Sequence, residues 1–141
     1  MKKIIQTIIF LFLIGCKENN LKNKISNLLD ESILTGRESI MFDSVCNGYD
    51  SLIILPPYSN IDKIETKFKV NLSKIKNTNT NVRDEVILFV FMKNREVVEF
   101  TTIPPKSYSF DTDTIKIYSK GHSFRINKGE NLFKDVIIIS D

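Results

Sequence analysis

The seven-residue stretch Val86-Ile87-Leu88-Phe89-Val90-Phe91-Met92 carries no polar side chain. Successive side chains of a strand point to opposite faces, so a strand with apolar residues on both must be covered on both. This segment therefore predicts a central strand, and a fold with at least two layers around it. Lys93-Asn94-Arg95-Glu96 follows, and then Val97 to Ile103, where Val98 and Phe100 alternate with Glu99. The pattern is a hairpin with Asn94 and Arg95 at the turn. A tight type I′ turn asks for Gly second. Arg in left-handed backbone costs about 1–2 kcal/mol, so a longer or bulged turn is expected.

The other elements are shorter. Leu21, Ile25, Leu28, Leu29 and Ile33 lie on one helical face ending near Gly36, a helix that either packs on the domain or serves as a stalk. Leu52 to Leu55 is β-branched and apolar, and Pro56-Pro57 stops it because Pro cannot donate to a sheet ladder. Ser59-Asn60-Ile61-Asp62 reads as a capping box with Ser59 first, and Ile61, Ile64 and Phe68 line the short helix after it. Residues 76–81 read as a loop. Ile115 and Ile117, then Phe124 and Ile126, alternate around the turn signal Lys120-Gly121, and Val136 to Ile139 is a last apolar run. This order predicts an α+β fold: a mainly antiparallel sheet of about five strands, with one or two helices on one face. Leu88, Val90, Val98, Phe100, Ile115, Ile117 and Phe68 are expected in one core.

The N-terminus is of a different kind. Met1-Lys2-Lys3 is basic, and Ile4 to Ile14 is an eleven-residue run interrupted only by Gln6 and Thr7. Crossing a bilayer takes about 20 apolar residues, so the run fits a secretory signal better than a membrane span. It ends in Leu13-Ile14-Gly15-Cys16, with the polar Lys17-Glu18-Asn19-Asn20 directly after. These four residues resemble a bacterial lipobox. The resemblance implies a diacylglycerol thioether on Cys16, cleavage before it, and acylation of the new amino group by a palmitate-like chain. Two or three chains anchor stably where one is marginal. The organisation expected is a signal peptide over 1–15, a lipidated N-terminus with helix or stalk over 16–36, and a single α+β domain over 37–141. The expected location is the cell envelope, anchored by lipid to a bacterial membrane outside the cytoplasm. More loosely, Phe42-Asp43, Leu55-Pro56-Pro57-Tyr58-Ser59 and the hairpin from Leu88 to Glu99 resemble small bacterial lipoproteins that carry no assigned activity. Arg95, where Gly is usual, and the insert Ser44 to Gly48 depart from their pattern.

Charge narrows the partners. The net charge is +3 on 141 residues, and cleavage would remove Lys2 and Lys3, leaving +1. That is no basis for binding nucleic acid. Candidate chemistry is sparse. His122 is the only His, and Cys46 would be the only thiol left after lipidation. Together they could serve a small thiol- or His-dependent enzyme, yet no spacing supplies an orienting group, so no catalytic residue is assigned. No metal site or cofactor is expected from one His and one free Cys. Asp111-Thr112-Asp113 resembles a metal or sugar-nucleotide DxD, a common tripeptide that here reads as a turn between strands, and Asp84-Glu85 and Asp30-Glu31 read as solvated charge. The remaining candidate is the corner Tyr58, Ser59 and Asn60. A strand end, two prolines, an aromatic and a helix N-terminus converge there, able to hold an anion or contact a partner. The function expected is a non-enzymatic, membrane-anchored binding or interaction domain for an envelope protein or ligand. A lipid-tethered inhibitor or immunity protein is a special case of it.

Overall fold

The computed structural model describes residues 20–76, 86–104, 108–110, 114–127 and 136–140. The segment 1–19 with Cys16, the pair Asp84-Glu85 and the tripeptide Asp111-Thr112-Asp113 lie outside the described residues.

Strand β3 (Ile87–Lys93) is buried from Ile87 through Met92, as a two-faced apolar run requires. It pairs antiparallel with β4 (Glu96–Ile103) on one side and β2 (Ser51–Leu55) on the other. β6 (Ile117–Ser119) extends the sheet beyond β2, in the order β4-β3-β2-β6. A second sheet has the order β1-β7-β8-β5, built from Ser39–Ile40, Phe124–Asn127, Val136–Ser140 and Tyr108–Phe110. Its β5–β8 pair is parallel and its other pairs are antiparallel.

The class is α+β and mainly antiparallel. Among the described residues, however, the strands divide into two sheets of four rather than one sheet of about five. The division falls at Lys120-Gly121. Gly121 takes φ +84, and the chain leaves β2's edge there to pair with β1 instead.

Alternation along β2 sorts the core into two layers. Leu52 and Ile54 face one cluster with Phe89, Phe91, Phe42, Phe110 and Phe124. Ile53 and Leu55 face the other, with Leu88, Val90 and Met92. The second layer is closed by α2 (Ile61–Phe68) and by the single turn α3 (Ser73–Lys76), through Ile61, Ile64, Leu72 and Ile75. The Glu65 carboxylate ties these two pieces together, accepting from the Leu72 N–H at 2.6 Å and from Lys76 at 2.5 Å. Lys76, expected in a loop, thus closes α3.

The helix over residues 20–34, α1, lies on the opposite side. Its stripe Leu21, Ile25 and Leu29 is buried in the aromatic cluster. Of the two roles open to this helix, packing is the one observed. The helices therefore flank β3 on both sides rather than one, because both faces of β3 need cover. α1 stops at Gly36, whose φ of +70 is the left-handed conformation that suits Gly at a helix end.

Two residues expected in the core are at the surface. Val98 is 40% exposed and Ile117 is 37% exposed. In β4, Glu99 pairs with Phe91 and Val97 with Met92, so Val98 is an extra residue, a β-bulge. The bulge turns Val97 inward in its place. Ile117 lies on an edge strand, where the cover over Ile53's face runs out. Leu88 and Val90 are in the core, with Phe68, Phe100 and Ile115 packed partly buried against them.

Candidate functional site

The corner after β2 is built by local chemistry. Pro56 ends the ladder, and its carbonyl accepts the Ser59 hydroxyl at 2.6 Å. Asn60, not Ser59, is the N-cap of α2. Its side-chain Oδ1 accepts from the Lys63 N–H at 3.0 Å, and its carbonyl accepts from Ile64. The cap falls one residue later than the capping box predicted, because the Ser59 hydroxyl is already bound to Pro56.

These bonds leave the three candidates unequal. Ser59 and Asn60 spend their side chains on the corner itself. The first-turn amides of α2 have Asn60 as acceptor and Asp62 as a fixed negative charge beside them, an arrangement that works against a bound anion. Tyr58 is different. It is 68% exposed and holds φ +61, a left-handed conformation uncommon outside Gly, Asn and Asp. The cavity beside it, bounded by Leu55, Pro57, Tyr58 and Leu88, measures about 10 Å³. That is room for one water and for no larger ligand. The corner is thus a projecting aromatic on a rigid base rather than a cleft.

Cys46 and His122 are held by different neighbours. Cys46 is buried, its sulfur 3.6 Å from Glu99 Oε2 and 3.7 Å from the Asn47 carbonyl oxygen. A reactive thiol needs an open, electropositive setting, and burial beside a carboxylate is the reverse. His122 packs in a three-ring cluster with Tyr118 and Phe124, their ring centroids 4.9 Å and 4.7 Å away. Its Nε2 is buried and has no hydrogen-bond partner among the described residues. The imidazole packs as an aromatic ring where the chain passes between sheets. Among the described residues no group of three His, Cys, Asp or Glu side chains is placed to hold a metal ion.

Sequence reasoning missed Asp43. Its Oδ1 accepts from the Tyr49 hydroxyl and from the Gly121 N–H, both at 2.9 Å, joining the 43–49 loop to the sheet-switching turn. Burial, and then the Asp43 carboxylate, push the Tyr49 phenol well above its ordinary range. The Phe42-Asp43 pair was the only signal for this. Two shallow polar grooves were also not legible. One, of about 420 Å³, runs along Glu38, Ser39, Arg125 and Asn127. The other, of about 360 Å³, lies at the head of α1 between Asn20, Lys24, Asn47 and Val98.

No protein-family model matches the sequence, and no curated protein or solved structure matches it. Among the described residues, no helix is long and apolar enough to cross a membrane.

Proposed function

We propose that this chain is a lipid-anchored lipoprotein of the bacterial envelope, and that its domain is a non-enzymatic interaction module acting through Tyr58. The observation that carries the reading is Tyr58 itself. An aromatic side chain held mostly outward in left-handed backbone, after two prolines and before a capped helix, leaves most of its surface to solvent. Its ordering entropy is already spent in folding, which favours contact with a partner. Tyr is also a residue type over-represented among the few that dominate interface energies. The lack of room beside it favours a macromolecular surface over a small ligand. The lipobox supports the anchor on Cys16 and an envelope location.

The test uses the intact lipoprotein in its own membranes. A photo-crosslinking phenylalanine analogue at position 58 is expected to give one discrete adduct, and Tyr58→Ala is expected to abolish function without lowering the melting temperature. If Tyr58→Ala keeps function while Cys46→Ser/His122→Ala loses it, the module is an enzyme and this reading fails. If Tyr58→Ala unfolds the domain, the corner is structural. Cys16→Ala is expected to abolish labelling by a fatty-acid analogue, and unchanged labelling refutes the anchor.

A further inference from the structure

The packing of α1 sets how far the domain can stand from its anchor. Asn20 is already helical, and Leu21, one residue later, is buried in the core. Four residue steps separate Cys16 from Asn20. Even fully extended they span at most about 14 Å. A lipid on Cys16 therefore holds the head of α1 at the membrane surface, with no stalk between.

Around the head of α1 the structure gathers one continuous face. Asn20 and Lys24 of α1, Val45 and Asn47 of the loop before β2, and Val98 and Glu99 of the β4 bulge line the shallow groove there. Val98 is the exposed apolar residue among them, and it is exposed because the bulge turns Val97 inward. Lys24 and Glu99 are of opposite sign, so charge gives this face no strong preference. The tether supplies the high local concentration.

The same frame places the Tyr58 corner. The bulge lies beside Phe91 and Met92, which pair with Leu52 and Ser51 at the start of β2. Tyr58 follows Leu55, at the other end of that strand. Four residue steps of strand separate Ser51 from Leu55, about 13 Å.

We infer that the groove formed by Asn20, Lys24, Val45, Asn47 and Val98 rests on the phospholipid headgroups, and that β2 carries Tyr58 to the pole facing away from the bilayer. The inference rests on the proposed lipidation of Cys16, and it adds an orientation which lipidation by itself leaves open. The occupant of the groove is the bilayer surface, because a tether of at most about 14 Å leaves no space for a folded domain between.

The chain contains no Trp, so a single introduced Trp reports its own position. The intact lipoprotein is purified with Val98→Trp, Lys24→Trp or Tyr58→Trp and placed in phosphatidylcholine vesicles with or without bromine on the upper acyl chain. All three positions are at the surface, so each variant is expected to keep its melting temperature; Lys24→Trp stands in if Val98→Trp does not. The intact mass of each sample reads lipidation separately from orientation. With the lipid present, bromine is expected to reduce emission from Trp at 98 and 24 and to leave Trp at 58 unchanged. Quenching at 58 equal to that at 98 means the domain lies on its side and overturns the inference. No quenching at either 98 or 24 in a lipidated sample overturns it too, and means another surface, or a second copy of the chain, occupies the groove. A mass without lipid overturns the anchor and the orientation together.

Discussion

Arg95 occupies backbone that its side chain disfavours. Asn94 and Arg95 take φ +52 and +67 in a tight two-residue turn, with Lys93 paired to Glu96. The longer or bulged turn expected from the sequence is not formed. Neighbours brace the tight one instead. The Asp50 carboxylate accepts from the Asn94 N–H at 2.8 Å, and the Asn71 N–H donates to the Arg95 carbonyl at 2.8 Å. Asp50 is held below the usual carboxylate range, chiefly by the bond from Asn94. Arg95→Gly should therefore stabilise the fold by about 1 kcal/mol, as relief of left-handed strain outweighs the entropy of Gly in the unfolded chain. A urea midpoint that falls would mean the Arg side chain contributes more than its backbone costs. Tyr49 makes a second prediction at this scale. Its folded pKa lies above the ordinary 10.0. Above pH 10 the unfolded chain loses a proton that the folded chain keeps, so stability falls as pH rises. One such group gives a slope of at most about 1.4 kcal/mol per pH unit. Tyr49→Phe should be less stable than the parent at pH 7, since it leaves Asp43 without that donor. The gap should narrow above pH 10, and parallel stability curves from pH 8 to 11 would refute the assignment.

At the scale of elements, β3 and β4 show what can be read from a pattern and what cannot. The two-faced burial of β3 was legible because seven apolar residues in a row leave a strand no solvated side. The choice between Val97 and Val98 was not, because both are Val and a bulge is a property of backbone pairing. The cap was misplaced by one residue for a similar reason. Ser59 and Asn60 are both good N-caps, and the Pro56 carbonyl decides between them. Division into two sheets was least legible of all, since partners of two- to four-residue strands are set by distant contacts. Of the candidate site, the corner was legible from Pro56-Pro57, but the φ of Tyr58 and the groove at α1 were not, because both arise only after folding. The bulge makes a direct prediction. Phe89→Ala, in the fully buried strand, should cost about 3–5 kcal/mol, whereas Val98→Ala should change stability by about 0.5 kcal/mol or less. Comparable losses in chemical denaturation would place Val98 in the core and remove the bulge.

For the whole molecule, the decisive element is α1. Its sequence suits a stalk as well as a packed helix, since an amphipathic stripe says only that one side must be covered. The structure covers it with the same cluster that covers β2 and β3, and Ile25 and Leu29 are fully buried there. If α1 belongs to the core, the domain unfolds with it in one cooperative step, because Leu21, Ile25 and Leu29 share one buried cluster with Phe42, Phe89 and the second sheet's Phe110 and Phe124. Ile25→Ala should then cost about 2–5 kcal/mol and shift the whole transition, followed either by far-ultraviolet circular dichroism or by tyrosine fluorescence. Leu34, on the same helix but 86% exposed, is the internal control, and Leu34→Ala should move the midpoint little. A stalk helix would give the opposite pattern: Ile25→Ala would lower helicity alone, and the tyrosine-detected transition of the sheets would stay where it was. That outcome would lengthen the tether by the span of α1, about 22 Å, and free the domain from the bilayer surface.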